Sequence, residues 1–202
     1  MHLFRLCTRG FSLCCLMAAL SACTADTAEE DVYTSFQPKP TAGIRDIMAD
    51  MIDPAADFIW ESVGTTISAS GEEDRQPQTD AEWNEVRRQA IILTEGANLL
   101  LIPGRPIARE GTQIEDQGTA GNLTAEEAEQ AIADNPRAFL TYAQALHDMG
   151  KTMLLAADQH NPQGLIDNGG TLDEICEGCH LQFWYPGQQI PAFPDQAPEV
   201  PR

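Results

Sequence analysis

The chain has 202 residues, about the length of one domain. It carries 31 acidic side chains against 12 Lys and Arg, a formal net charge of −19. A nucleic-acid-binding surface needs clustered positive charge and is therefore excluded. The hydrophobic content of 43% is ordinary for a globular core and too high for a wholly disordered chain. No apolar run reaches the length of about 18 residues that would span a bilayer.

Residues 1–22 are predicted to be an export signal. Arg5 and Arg9 place positive charge ahead of the 12-residue apolar stretch Phe11–Ala22, and no acidic residue comes before Glu29. This order is typical of a secretory signal peptide, and the stretch is too short for a transmembrane helix. Cleavage would remove the three cysteines that precede residue 22 and would leave a still more acidic chain.

The apolar stretch ends in Leu-Ser-Ala-Cys at Leu20–Cys23, which resembles the lipobox of bacterial lipoproteins. In that family the peptidase cuts before the Cys, whose thiol and new amino group then carry acyl chains. The resemblance therefore implies a lipid anchor at Cys23. By the family's sorting rule, Thr24 at the next position implies the outer membrane rather than the inner one. A plain signal peptide cut after Ala22 or beyond is the alternative.

Two segments outside the predicted fold have the composition of flexible chain. Residues 23–40 are small and acidic and end in two prolines, so we expect the lipidated Cys followed by a tether. Residues 191–202 are rich in proline, which predicts an extended tail. The folded domain is expected to span residues 41–190.

The first predicted helix covers residues 41–68. Its apolar positions recur every three or four residues, and the stripe that they form places Met48 and Met51 inward. Pro54 interrupts the helix because it has no N–H to donate. A kink, or a restart capped by Asp53, is therefore expected.

The second predicted helix covers residues 79–102. Thr79 and Glu82 form a capping-box pattern at its start, and a Pro-Gly pair follows its end. Residues 104–122 then contain four glycines and no periodicity. A loop of this length inside a compact domain is usually a crossover or a functional lid.

Two helices follow the loop. Thr124 opens a short helix that runs to about Asp134, again with a capping-box pattern. Asn135 is the expected N-cap of a longer helix, which Pro162 stops or bends.

The last predicted helix follows a break at Gly169 and Gly170. A third capping-box pattern at Thr171 opens it, and it ends near Pro186. No alternation of apolar and polar residues typical of a strand stands out. Four principal helices without strands predict an all-α fold, an antiparallel four-helix bundle.

Cys176, Cys179 and His180 form a Cys-x-x-Cys-His sequence, which is the attachment signature of a c-type haem. Thiols that bond to the two haem vinyl groups must lie about one helical turn apart, and the imidazole beside the second thiol must reach the iron. On a helix these side chains project onto neighbouring parts of one face. Gly178 keeps the spacer small. The export signal agrees, because haem is attached to such proteins on the outer side of the bacterial inner membrane.

Three other uses of the cysteine pair are weaker. A zinc site needs two more ligands, for which only His147 and His160 remain beyond the export signal. A thioredoxin-like redox pair needs a strand–helix context that the predicted fold lacks. A disulfide across one turn of a helix would be strained.

The position of the motif on the last helix resembles the class II c-type cytochromes, the cytochrome c′ and cytochrome c556 family, over roughly residues 41–186. The resemblance implies a four-helix bundle with one covalent haem c on the C-terminal helix and His180 as the proximal iron ligand. One departure is the segment Leu181–Pro186, which lacks the basic residue that usually approaches a haem propionate. The candidates that remain for this contact are Arg87, Arg88, Arg105, Trp184 and Tyr185.

The resemblance also implies where a sixth iron ligand would lie. In low-spin members the first helix supplies a Met, whereas in high-spin members an apolar residue stands there and the iron binds small gases. Met48 is preferred as the distal ligand because it follows Arg45, as in the family's pattern of an Arg and a Met separated by two or three residues, and lies a full turn before the disturbance at Pro54. Met51 is the alternative, and both side chains could be core residues only.

The resemblance implies a lipid-anchored monohaem cytochrome that carries single electrons at the bacterial cell envelope, facing the periplasm, and that is not an enzyme. The alternative is a high-spin, gas-binding haem protein. Partners would be redox proteins, and the acidic surface would favour basic ones, although solubility explains the charge equally well. The oligomeric state, including a homodimer, stays open. No distal His–Arg pair at helical spacing supports a peroxidase.

Overall fold

The computed structural model describes residues 37–188. The predicted export signal, Cys23, the tether up to residue 36 and the proline-rich tail 191–202 lie outside the described residues. A compact unit begins at Pro40. Within the described range, none of the helices has both the length and the apolar character of a membrane span.

The described chain is mainly helical, with one small hairpin. In chain order the elements are α1 (Ile44–Ile47), a π-helical turn (Met48–Ile52), α2 (Asp53–Ser62), β1 (Gly64–Ser68), β2 (Gly71–Arg75), α3 (Asp80–Leu100), α4 (Ala125–Asp134), α5 (Pro136–Asp158) and α6 (Pro162–Phe183). Helix α3 packs along α5, α5 packs along α6, and α2 packs against α3 and α6. The main core lies between these four helices.

The first helix accommodates Pro54 by forming a π-helical turn just before it. The backbone N–H of Asp53 donates to the carbonyl of Met48, five residues earlier. The next residue, Pro54, has no N–H to donate, so the ladder widens just before it. Asp53 itself is helical and no side chain caps α2, so the predicted restart capped by Asp53 is wrong. The π-helical turn also begins at Met48 itself, and not one turn after Met48 as the sequence predicted.

The widened turn shifts the buried face of the first helix. Its buried side chains are Ile47, Ile52, Ala55, Ala56 and Ile59. Phe58, which the three-and-four rhythm places inward, is 37% exposed. An uninterrupted α-helical period therefore does not describe this helix.

The predicted absence of strands is wrong, and so is the extension of the first helix to residue 68. The helix ends at Ser62, and the antiparallel hairpin β1–β2 follows, with Gly64 opposite Arg75. Thr65 donates its hydroxyl to the Asp74 carboxylate over 2.8 Å. Both strands are largely exposed. Because neither face is buried, the hairpin has no alternation for a sequence pattern to reveal.

The helix starts at Thr79, Thr124 and Asn135 are confirmed. The Thr79 side chain accepts from the backbone N–H of Glu82, the third residue of α3, and the Glu82 carboxylate accepts from the backbone N–H of Thr79. Thr124 and Glu127 form the same pair of bonds at the start of α4. The Asn135 side chain accepts from the N–H of Ala138 at the start of α5. Local hydrogen bonding therefore sets these boundaries.

The predicted break at Gly169 and Gly170 is wrong, because α6 runs through both glycines. The helix starts earlier, where the Asn161 side chain accepts from the N–H of Gly164 over 3.0 Å. Trp60 of α2 donates its indole N–H to the carbonyl of Gly169 over 3.1 Å. The indole also packs closely on this part of α6, since a Cβ at Gly169 would lie 3.4 Å from Trp60 Cδ1, which is an ordinary van der Waals contact.

The contact between α3 and α5 generates a testable prediction on Gly150. A methyl group at this buried residue would lie 2.5 Å from Thr94 Oγ1 and 3.1 Å from the Thr94 backbone. We expect Gly150→Ala to lower the free energy of unfolding by about 1–3 kcal/mol, because overpacking outweighs the gain in helix propensity. Urea denaturation followed by circular dichroism measures the change.

Gly170→Ala is the matched control, because Gly170 is exposed on α6 and a methyl group there meets nothing within 4 Å. This change should raise stability by up to about 1 kcal/mol. Equal effects of the two substitutions would contradict the close packing of α3 on α5.

Candidate functional site

A largely apolar cavity lies between the first helix, α5, α6 and the loop that precedes α4. Its empty space, including the part open to solvent at its mouth, is about 1120 Å³. Apolar lining side chains include Ile107, Ile114, Phe139, Leu146 and Phe183. The polar and sulfur-containing side chains on its wall are Arg45, Met48, Asp53, Cys176, Cys179 and His180, with Tyr142, Glu115 and Trp184 beside them.

Cys176, Cys179 and His180 all line this cavity from the last two turns of α6. The uninterrupted helix puts them on one face, as their spacing predicts. The two cysteines are not joined in a disulfide. Burial raises the pKa of the Cys176 thiol to about 11, assisted by the charges of Asp173 and Asp53. Burial also raises the pKa of the Cys179 thiol to about 12, so both sulfurs are protonated at neutral pH.

The His180 imidazole is neutral at neutral pH. Burial lowers its pKa, and the charges of Glu177 and Asp53 only partly oppose that shift. A neutral imidazole keeps a nitrogen lone pair, which is the form that binds a metal. The side chain on the cavity wall is therefore in the protonation state that ligation requires.

Met48 and Met51 point to different neighbours. Met48 lines the cavity opposite α6, whereas Met51 lies outside its lining. A methyl group at Gly96 of α3 would lie 2.9 Å from Ile52 Cγ1 and 3.9 Å from Met51 Cβ, so this part of the π-helical turn faces α3. The structure brings Met48, and not Met51, to the cavity that holds the cysteines and His180.

Arg45, which lines the same cavity, also carries a hydrogen-bond donor without a partner in the described part of the chain. Its Nε atom is buried and has no hydrogen-bond partner among the described residues. The side chain otherwise makes only a long contact of 3.5 Å from Nη1 to the Asp46 carboxylate. A buried guanidinium N–H without an acceptor is costly, and a carboxylate within hydrogen-bond distance of Nε would remove that cost.

The loop between α3 and α4 forms one wall of the cavity and holds the start of the first helix. Its carbonyls at Pro106 and Ile107 accept from the N–H groups of Ile44 and Arg45, both over 2.9 Å. Arg105 donates to the carbonyl of Ala42 over 2.6 Å, and a second bond joins it to the end of α3. The loop is thus a structural wall that fixes the segment carrying Arg45 and Met48.

Gly178 lies against an aromatic ring of α5. A methyl group at this position would lie 3.0 Å from Tyr142 Cε1 and 3.2 Å from its hydroxyl. Tyr142 also lines the cavity. The small spacer in the Cys-x-x-Cys-His sequence therefore gives room to Tyr142, a contact that the sequence did not predict.

The three arginines proposed for a propionate contact do not line the cavity. Arg87 pairs with Asp158 over 2.7 Å on the surface, Arg88 pairs with Glu85, and Arg105 is engaged by backbone carbonyls. Trp184 lines the cavity, and Tyr185 contacts the His180 ring beside it. The basic residue at the cavity is Arg45, whose only sequence signal was its position before Met48.

The other candidate ligands lie elsewhere. His147 Nδ1 lies 3.1 Å from the Asp148 carboxylate, and His160 stacks on Trp83 with ring centroids 5.1 Å apart. Met153 is fully buried in the core and Met149 packs against it. These four side chains have structural surroundings away from the cavity.

Within residues 37–188, no three His, Cys, Asp or Glu side chains are grouped so that they could hold a metal ion between them. The chain matches no protein-family model, no curated protein and no solved structure.

Proposed function

We propose that the protein is a monohaem c-type cytochrome that carries single electrons at the bacterial cell envelope. One haem c would be bound covalently by Cys176 and Cys179, with His180 as the proximal ligand and Met48 as the distal one. The observation that carries the proposal is that Met48 from the first helix lines the same cavity as the complete Cys-x-x-Cys-His motif of α6.

The chemistry of the cavity residues fits this group. The two thiols would form the thioether links, and the neutral imidazole of His180 would donate its lone pair to the iron. The Met48 thioether is a soft ligand suited to haem iron in a largely apolar site. The orphaned Nε–H of Arg45 would find its acceptor in a propionate carboxylate.

When bound, the haem supplies the one-electron redox chemistry of its iron. The chain's own part is to hold and surround the group. The apolar side chains of α5, α6 and the loop surround the cavity, and Met48 and His180 approach it from two different helices. We therefore propose an electron carrier and not an enzyme.

We also propose that the helices form the antiparallel four-helix bundle of the class II family. Supporting this, α2, α3, α5 and α6 pack in a closed order, in which each helix contacts the next and α6 returns to α2. Helix α4 and the exposed hairpin are additions to that order. The family resemblance of the motif and this packing point to the same arrangement.

Attachment of haem is the direct test of the proposal. Cys176→Ala combined with Cys179→Ala should abolish covalent haem, because no other described cysteine is present. Haem staining of the denatured protein, expressed with a cytochrome c maturation system, gives the readout. Asp167→Ala, an exposed change on the same helix, is the control and should stain like the wild type. A stained band in the double variant would overturn the proposal.

The two methionines give a matched pair for the distal ligand. Met48→Ala should open a coordination position, so the absorption spectrum should become high-spin and the protein should bind CO. Met51→Ala should keep the low-spin spectrum and lower stability by no more than about 2–5 kcal/mol, the usual cost of truncating a core Met. The reverse pattern would move the ligand to Met51. A wild-type ferric spectrum that is already high-spin would instead favour the gas-binding alternative.

The envelope location rests on the lipobox, which lies outside the described residues. We propose that Cys23 is acylated and holds the protein on the periplasmic side of the outer membrane by a tether. Cys23→Ser should release the protein from membranes or leave it unprocessed, because the thiol is the acylation site. Membrane fractionation with a processing gel measures this. A processed Cys23→Ser protein that stays on the membrane contradicts the anchor.

A further inference from the structure

We propose that Trp184 and Tyr185 are positioning residues that set the orientation of the His180 imidazole. Trp184 would itself be held by the carbonyl of Glu115, and Tyr185 by the carboxylate of Glu177. This inference rests on the proposed function, because it concerns His180 as an iron ligand. It assigns a role to the two aromatic residues that follow the motif in place of a basic residue.

The His180 ring is enclosed by the two aromatic side chains. Its centroid lies 4.9 Å from that of Trp184, with the rings at 89°, and 5.7 Å from that of Tyr185, with the rings at 61°. The two aromatic rings also contact each other, at 5.2 Å. Edge contacts of this kind are favourable and directional. Rotation of the imidazole would have to displace at least one of them.

Trp184 is fixed by three hydrogen bonds. Its indole N–H donates to the carbonyl of Glu115 over 3.2 Å, and its backbone carbonyl accepts from the N–H of Leu123 over 2.8 Å. Its backbone N–H donates to the carbonyl of His180 over 2.9 Å. The indole is thus anchored to the loop between α3 and α4, and the backbone of the same residue is bonded to that loop and to the carbonyl of His180.

Tyr185 is fixed from the other side. Its backbone N–H also donates to the carbonyl of His180 over 2.9 Å, and its hydroxyl donates to Glu177 Oε2 over 2.7 Å. Glu177 lies inside the Cys-x-x-Cys spacer, so the ring is tied back along the helix that carries His180. A residue of the attachment motif therefore takes part in holding the ring that touches the proximal ligand.

Residues that orient a metal-binding imidazole tune the metal that it binds. For a haem iron the affected quantities are the midpoint potential and the ferric electron paramagnetic resonance (EPR) spectrum, whose g values respond to the orientation of the axial ligands. A substitution that only lowers the stability of the fold would leave the midpoint potential and the g values unchanged. These two quantities therefore distinguish a positioning role from a structural one.

Trp184→Phe and Trp60→Phe form a matched pair. Each change removes one indole N–H that is donated to a backbone carbonyl, but Trp60 binds Gly169 of α6 away from the cavity. Both variants should keep covalent haem and lose thermal stability. Only Trp184→Phe should shift the midpoint potential and the g values beyond the scatter of replicate wild-type measurements.

Tyr185→Phe tests the second contact with a smaller change. This change keeps the ring, removes the hydrogen bond from the hydroxyl to Glu177, and should shift the EPR spectrum. Glu177→Gln weakens the same hydrogen bond and should shift the spectrum in the same direction. If Trp184→Phe does not fold, Tyr185→Phe decides the question by itself. Glu177→Gln then serves as its independent check.

The outcomes separate the inference from the function on which it rests. A wild-type protein without covalent haem on the stained gel would reject the proposed function first. Haem-loaded Trp184→Phe and Tyr185→Phe with wild-type potential and g values would reject the positioning role and leave the cytochrome proposal standing. An equal shift in Trp60→Phe would also reject it, because the effect would then be a general loosening of α6.

Discussion

One missing hydrogen-bond donor, the backbone nitrogen of Pro54, shapes the side of the cavity opposite α6. The helix absorbs this loss by a π-helical turn in which Asp53 reaches back to the carbonyl of Met48. In a regular α-helix, residues three apart point in directions about 60° apart. The wider turn separates them further, so Met48 faces the cavity while Met51 turns toward α3.

The segment after the motif ties the opposite walls together. Trp184 contacts His180 and bonds to Glu115 of the loop, and the same loop gives two carbonyls to the start of the first helix. Gly121, with φ at +95°, lets the loop and Gly187 approach so closely that a Cβ there would lie 2.5 Å from the Gly187 carbonyl. The proximal and distal sides of the proposed haem site are thereby connected through one loop.

The sequence predicted those parts of the fold that local chemistry controls. Capping side chains fix the starts of α3, α4 and α5, and the helical period places Cys176 and His180 on one face. The exposed hairpin and the continuous α6 were missed. A solvent-exposed strand leaves no alternation, and the cost of two glycines in a helix, about 1 kcal/mol each, is offset by tertiary contacts such as that of Trp60. Arg45 was not assigned because its orphaned Nε is visible only after the chain has folded.

The proposed haem accounts for several separate features of the cavity with one molecule. Arg45 lacks an acceptor for a buried N–H, and a propionate is an acceptor. His180 is kept neutral with a lone pair, and iron would take it. The two thiols are one turn apart and unpaired, and the vinyl groups would bond to them. A zinc ion would leave Arg45 unsatisfied, and a disulfide would leave His180 and Met48 without a role. The agreement of these features, which arise from two separate segments of the chain, is the physical reason for preferring the haem.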